Sequence, residues 1–313
     1  MTIRLGTRGS ALALAQSGWV ANRIGQASGE DVGIVSMHSE GDLISTPLAQ
    51  LGGTGVFAAS LRMSLLAGRC DIVVHSLKDL PVVDYPGLSL GAVPLRADSR
   101  DALCARRGFT LATLPHGARV GTGSPRRAAA LLARRPDLEI LAIRGNVDTR
   151  LARVRQGDLH AVVLAAAGLD RLDRLDAVTE YFDFDTMPSA PGQGALAIEL
   201  LTSELEEATA LAAAVASIDD PDVHAAVVAE RAVLARLEAG CSAPIGAAAT
   251  VADGQITLRA TVVAPDGSRV ITRTGTAAAG DSAREAARLL GERVADELYS
   301  DGASEFVATE AVR

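Results

Sequence analysis

Short apolar runs alternate with amphipathic stretches along most of the chain. Ile3-Arg4-Leu5 precedes a stretch from Ser10 to Ile24, and Val32 to Met37 precedes one from Phe57 to Leu66. A strand-length apolar run followed by a segment with a period of about 3.6 residues predicts the α/β class, in which helices cover a sheet. The run Ile72-Val73-Val74 then leads through His75-Ser76-Leu77-Lys78-Asp79 to Pro81, so a buried strand is predicted to end where Lys78 and Asp79 begin a loop. After Arg96 the rhythm resumes. Ala102 to Ala105, Arg119-Val120, Leu138 to Ile143 and Ala161 to Leu164 read as strands, with helices starting near Ser124, Val147 and Ala166. Proline and glycine then crowd Met187 to Gly194, marking a hinge or crossover before a strand at Ala195 to Leu200.

From Asp219 the pattern changes. Asp220-Pro221 opens a helix as cap and first residue, Val223 to Leu237 continues it, and Gly240 supplies a C-cap just before Cys241. Strands are predicted at Ala243 to Val251, Gln255 to Val263 and Arg269 to Thr276, joined by turns at Ala252-Asp253-Gly254 and Pro265-Asp266-Gly267. A last amphipathic helix covers Asp281 to Tyr299. The alanine-rich stretch Ala208 to Ala216 is compositionally plain, and no solenoid-period repeat is evident. The expectation is two α/β units followed by a small α+β domain with an antiparallel sheet.

Composition narrows the function. With 313 residues, 48% of them hydrophobic, the chain can bury more than one core. Its net charge of -8 and 3% aromatic content argue against nucleic acid or an anionic membrane as partner. No charge-free apolar run approaches the roughly 20 residues of a membrane span, and the N-terminus lacks a signal-peptide pattern, which predicts a soluble cytoplasmic protein. The three cysteines, Cys70, Cys104 and Cys241, lie too far apart for a metal or disulfide framework, so no metal is expected.

Charge placement is more telling than charge total. Lys78 is the only lysine, set immediately before Asp79. Arginines recur where strands give way to helices: Thr7-Arg8-Gly9-Ser10, Gly121-Thr122-Gly123-Ser124-Pro125-Arg126-Arg127 and Arg144-Gly145-Asn146-Val147-Asp148-Thr149-Arg150. Free N–H groups and the helix dipole favour anions there, and arginine adds a bidentate grip on carboxylate. Arg153 and Arg155 read instead as the wet face of a helix. Together, Arg8, Arg126, Arg127, Arg144 and Arg150 predict a polycarboxylate ligand held between two lobes. Gly52-Gly53-Thr54-Gly55 lacks the Lys-Ser/Thr ending of a phosphate-binding loop and reads as a flap.

Five segments carry a family resemblance: H-S-L-K-D-L-P at 75–81, G-T-G-S-P-R-R at 121–127, R-G-N-V-D-T-R-L at 144–151, A-P-G-Q-G-A at 190–195 and A-G-C-S-A-P-I-G at 239–246. In this order and spacing the chain resembles the porphobilinogen deaminases, or hydroxymethylbilane synthases. The resemblance implies a transferase that joins four porphobilinogen molecules head to tail, releasing ammonia, on the route to haem. It implies a dipyrromethane cofactor in thioether linkage to Cys241 and a catalytic carboxylate at Asp79. Cofactor contacts would come from Lys78, Arg126, Arg127, Ser10, Ser76, Thr122 and Ser124, and substrate contacts from Arg8, Arg144, Arg150, Arg171 and Gln193. The implied fold has two lobes like those of periplasmic binding proteins around a cleft: domain 1 at 1–95 and 195–212, inserted domain 2 at 96–194, and cysteine-bearing domain 3 at 213–313. A monomer is expected. Thr54 and Ala59 stand where some relatives carry basic residues, which predicts a less firmly anchored flap, and Pro125 stands where some relatives have leucine, acceptably for a first helical turn. The competing reading is a non-catalytic two-lobed polycarboxylate-binding protein; a missing Asp79 or Cys241 would favour it, and both are present.

Overall fold

A computed structural model describes residues 2–37, 56–237, 243–280 and 282–307. The chain divides into two compact units, Met1–Arg96 with Ala195–His224, and Ala97–Gly194 with Ala225–Arg313.

The first unit is built on β1 (Thr2–Arg8), β2 (Asp31–Met37), β3 (Ile72–Ser76), β4 (Leu88–Ala92) and a strand contributed after the crossover, β10 (Leu196–Leu201). The sheet order is β2-β1-β3-β10-β4. The first three strands run parallel, and β10 is antiparallel to both of its neighbours. Helices α1 (Ala11–Ser28), α2 (Val56–Leu66), α6 (Thr202–Glu206) and α7 (Ala210–Ala216) belong to this unit. The apolar run of β3 is explained by burial on both faces: Ile72 and Val74 join one core cluster with Ile3, Leu5, Val20 and Ile198, while Val73 joins another with Leu61, Leu65 and Cys70.

The second unit repeats this plan with β5 (Asp101–Ala105), β6 (Arg119–Gly121), β7 (Glu139–Leu141), β8 (Ala161–Ala165) and β9 (Glu180–Tyr181), ordered β7-β6-β8-β5-β9. Again the fourth strand is the reversed one: β6 is parallel to β7 and β8, and β5 is antiparallel to β8 and β9. β8 is buried on both faces, with Val163 in one cluster and Val162 and Leu164 in another. The helices are α3 (Pro125–Arg134), α4 (Val147–Arg155) and α5 (Ala166–Asp170).

Helix α8 (Pro221–Arg236) starts as expected, with Asp220 Oδ1 accepting a hydrogen bond from the Val223 amide at 3.0 Å. It packs with α9 (Ala283–Ser300) on an antiparallel sheet of β11 (Ile245–Ala252), β12 (Gln255–Val263) and β13 (Val270–Ala278). Asp253 and Gly254 both have positive φ, the conformation a two-residue hairpin turn requires. The architecture is therefore mixed α/β, with two sheet–helix lobes and a small antiparallel three-stranded sheet. The expectation lacked β4 and β9, which are too short or too glycine-broken to show a period, and left Ala208 to Ala216 unassigned. That stretch is α7, capped by Thr209, whose hydroxyl accepts from the Ala212 amide at 3.2 Å. The expected C-cap Gly240 lies outside the described residues.

A buried ion pair locks β3 to β10. Glu199 accepts from Arg62 Nε at Oε2 (3.0 Å) and from Nη2 at Oε1 (2.6 Å), and His75 Nε2 lies 2.9 Å from Oε2. Desolvation raises the Glu199 pKa, but hydrogen bonds from His75 and Arg62 outweigh it, leaving the carboxyl lowered from 4.5 to about 2. A pKa depressed in the folded state contributes stability above its unfolded value and loses that contribution as pH falls through the folded one. Stability from Glu199 is thus present above pH 4.5 and lost towards pH 2. E199Q is expected to cost about 3 kcal/mol at pH 7 and to flatten the acid limb of stability measured by denaturant titration.

Cys70 and Cys104 are core residues, both 2% exposed. Burial pushes the Cys104 thiol up to about 12, and Cys70 is raised for the same leading reason. Thiolate is the reactive form. Iodoacetamide should therefore spare both in the native protein and label both after unfolding, as read by peptide mass; native labelling of either would contradict the packing.

Candidate active site

In both lobes the residues singled out by sequence follow the C-terminal ends of parallel strands, where open α/β sheets bind ligands. In the first unit Arg8 ends β1, and Ser76 ends β3. Leu77 to Asp79 form one turn of 3-10 helix. Leu77 and Leu80 are buried at 0% and 5% exposure, while the Leu80 amide donates to the Leu77 carbonyl at 3.1 Å. Two apolar anchors thus clamp the turn from within, leaving Lys78 half-buried and Asp79 exposed. Gln16, buried on α1, donates through Nε2 to Ser76 Oγ at 2.8 Å and ties that helix to the strand end. Ser10 serves as N-cap of α1, its hydroxyl accepting from the Ala13 amide at 3.3 Å.

In the second unit β6 leads into Thr122 and Ser124. Thr122 Oγ1 accepts from the Ser124 amide at 3.2 Å, and Ser124 Oγ accepts from the Arg127 amide at 3.5 Å as N-cap of α3. The second glycine of the motif is fixed by space, since a Cβ on Gly123 would lie 2.6 Å from the Ile143 carbonyl oxygen. Arg144 follows β7 and is exposed, and Arg150, on α4, is half-buried with Nε donating to the Gly145 carbonyl at 2.9 Å. Arg171 follows α5 and donates to the Gly194 carbonyl at 2.7 Å. Burial lowers the pKa of Arg150, with the charge of Arg127 acting in the same direction; burial also lowers that of Arg171, which Asp170 partly offsets. Guanidinium groups stay protonated throughout the neutral range, so these remain cations.

Arg126 and Arg127 turn their forks into the lobe. They are 5% and 6% exposed, and both bind Asp101, itself fully buried at the start of β5. Arg127 also donates to the Val163 carbonyl at 3.1 Å, and Arg126 to the Pro188 carbonyl. Gln193 is fully buried and donates to the Ser99 carbonyl at 2.8 Å and to Asp101 Oδ1 at 2.9 Å. The loop holding it is anchored by Glu230 of α8, whose Oε2 accepts from the Gly192 amide at 2.7 Å and whose Oε1 accepts from the Ala249 amide at 2.8 Å. Asp101, Glu230 and Gln16 escaped the sequence reading, because a lone acid or amide at a strand or helix position carries no periodic signal. Cys241 and Thr54 lie outside the described residues. Ala59 lies within α2 and is exposed.

The second unit can therefore present several cations to an anion, and the first an exposed carboxylate on a rigid turn. The chain matches the family model described as porphobilinogen deaminase, dipyromethane cofactor binding domain, over residues 3–209, and that of the porphobilinogen deaminase C-terminal domain over residues 224–300. It is 54% identical to a porphobilinogen deaminase of Leifsonia xyli, covering 99% of this chain and 96% of that one. It is 49% identical to porphobilinogen deaminase 1 of Streptomyces coelicolor, covering 99% and 98%. Among solved structures, a periplasmic substrate-binding protein from Coxiella burnetii aligns at 13% identity and TM-score 0.43, over 70% of this chain and 92% of that one. With both family models matched and relatives aligned almost end to end, the chain belongs to the porphobilinogen deaminase family.

Proposed function

We infer that this chain is a hydroxymethylbilane synthase, a transferase that joins four porphobilinogen units head to tail with loss of ammonia. Family membership supports this, and the observation that carries it against a mere binding protein is Asp79, an exposed carboxylate on a turn whose apolar neighbours are buried. A polycarboxylate receptor needs cations; an exposed acid facing an anionic ligand would only weaken it.

The second unit fits a dipyrromethane cofactor, whose acetate and propionate groups call for the cations found there. Arg126, Arg127, Thr122 and Ser124 of that unit, with Lys78, Ser10 and Ser76 of the first, would hold it, and the A-G-C-S motif supports attachment at Cys241. When bound, the cofactor supplies the pyrrole on which the product chain is built. Arg8, Arg144, Arg150, Arg171 and Gln193 would bind substrate carboxylates and orient the ring. Asp79 would accept a hydrogen bond from the substrate pyrrole N–H and stabilise the positive charge that develops as ammonia leaves. Its exposure lets it exchange protons with solvent between steps. The three separate sheets support a functional division into 1–95 with 195–212, 96–194 and 213–313. No helix among the described residues is long and apolar enough to cross a membrane. We propose a cytoplasmic monomer that engages neither membrane nor nucleic acid.

Two measurements test this reading. Intact mass should exceed the chain mass by two linked pyrrole units, mapping to the Cys241 peptide. An unmodified chain that gains no mass with porphobilinogen would leave only the binding-protein reading. D79N should lose at least about a hundredfold in kcat and D79E less, because the longer acid keeps the charge; equal rates for D79N and the wild type would remove Asp79 from the chemistry.

A further inference from the structure

The arginine pair of the second unit has a buried acid at its centre. Asp101 Oδ2 accepts from Arg126 Nη2 at 2.8 Å. Oδ1 accepts from Arg127 Nε at 3.0 Å and Nη2 at 2.6 Å, and from Gln193 Nε2 at 2.9 Å. Asp101 is 0% exposed and neither arginine exceeds 6%. Two guanidiniums and one carboxylate leave this buried group with one net positive charge. Its influence reaches further, since the charge of Arg127 is felt at Arg150.

We propose that Asp101 is a positioning residue that sets how tightly the second unit holds a polycarboxylate, by aiming Arg126, Arg127 and Gln193 and by cancelling one of the two arginine charges. This rests on the reading of those arginines as carboxylate-binding groups. Each porphobilinogen adds an acetate and a propionate, so the growing chain becomes more anionic at every addition. A fully uncompensated arginine pair would hold each longer chain more firmly and resist its advance and release, since binding shared equally by every state does not speed turnover. With Asp101 in place, both guanidiniums stay buried and oriented, and the field they project is halved.

Replacing Asp101 by Asn has two opposing effects on anion binding. Lost orientation weakens it; lost negative charge strengthens it. The second effect prevails, because a charge interaction in a buried, low-dielectric setting falls only as the inverse of distance and survives a tilted guanidinium. An acid with a purely structural role predicts the opposite sign, a loosened lobe that binds anions less well.

The test is calorimetric titration of the purified full-length chain with mellitate, a benzene hexacarboxylate, at fixed ionic strength. D101N should bind mellitate at least about tenfold more tightly than wild type, about 1.4 kcal/mol. R127Q should bind it about tenfold more weakly, and D101N/R127Q, which restores one net positive charge, should return to within about threefold of wild type. In turnover of porphobilinogen, KM and kcat should both fall in D101N, as expected when retention rather than capture limits the rate. Unchanged or weaker mellitate binding by folded D101N overturns the proposal. Should D101N fail to fold, the comparison of D101N/R127Q with R127Q decides, because the buried charge there is no larger than in the wild type; no gain in affinity overturns the proposal equally. If R127Q binds mellitate as wild type does, the arginine reading falls and this proposal with it, whereas weakened R127Q without a tightened D101N removes only Asp101.

Discussion

Glu199 and Asp101 each sit on a strand that runs against its neighbours. Each lies on the reversed fourth strand of a five-stranded sheet, β10 in one lobe and β5 in the other, and each is buried and bound to arginine. These strands adjoin two of the three points where the chain passes between units, Arg96/Ala97 and Gly194/Ala195; the third is His224/Ala225. A buried carboxylate with one partner removed costs several kcal/mol, although the intact pair adds little net stability over apolar residues. Such pairs therefore contribute little to the total and a great deal to uniqueness: β10 meets β3 in one register because Glu199 must meet Arg62 and His75. That register in turn fixes the strand that ends at Ser76 and delivers Asp79.

The same reasoning explains how a chain of net charge -8 presents a cationic face. Overall charge governs solubility and long-range steering, whereas a ligand meets the local field. Arg144 follows β7, Arg150 lies near the start of α4 and Arg171 follows α5, all in one lobe, and Asp101 orients the arginine pair without cancelling both charges. Arg150 and Arg171 are half-buried, so part of their hydration is already lost before a carboxylate arrives, which strengthens the interaction they can make.

Much of this was legible in the sequence, for identifiable reasons. β3 and β8 appear as unbroken apolar runs because both faces of each are buried, Asp220 appears as a cap because it sits directly before a proline and a periodic segment, and Ser10 and Ser124 appear as helix starts. Motifs at strand ends point to the binding edge because that edge is where open α/β sheets carry ligands. The supporting residues were not legible. Asp101 reads as an ordinary polar residue at the start of a strand, Glu199 interrupts an apolar run without explaining itself, and Glu230 sits in an alanine-rich helix where an acid is unremarkable. Their partners are distant in the chain, Arg62 for Glu199 and Gly192 and Ala249 for Glu230, so no local pattern can reveal them. The inward turn of Arg126 and Arg127 is hidden for the same reason: spacing placed them at a helix start, but only the position of Asp101 decides where their forks point.

Within the second unit these supports form a continuous series. Glu230 on α8 holds the Gly192 and Ala249 amides; Gln193, next in the loop, donates to Asp101; and Asp101 holds Arg126 and Arg127. Gly194 closes the loop with φ of +86, a conformation glycine tolerates, and a Cβ there would lie 2.5 Å from the Ala97 carbonyl oxygen. Glu230 thus couples the C-terminal sheet to the loop that positions the arginines, which gives a physical reason for residues 225–313 to group with 97–194 rather than stand alone.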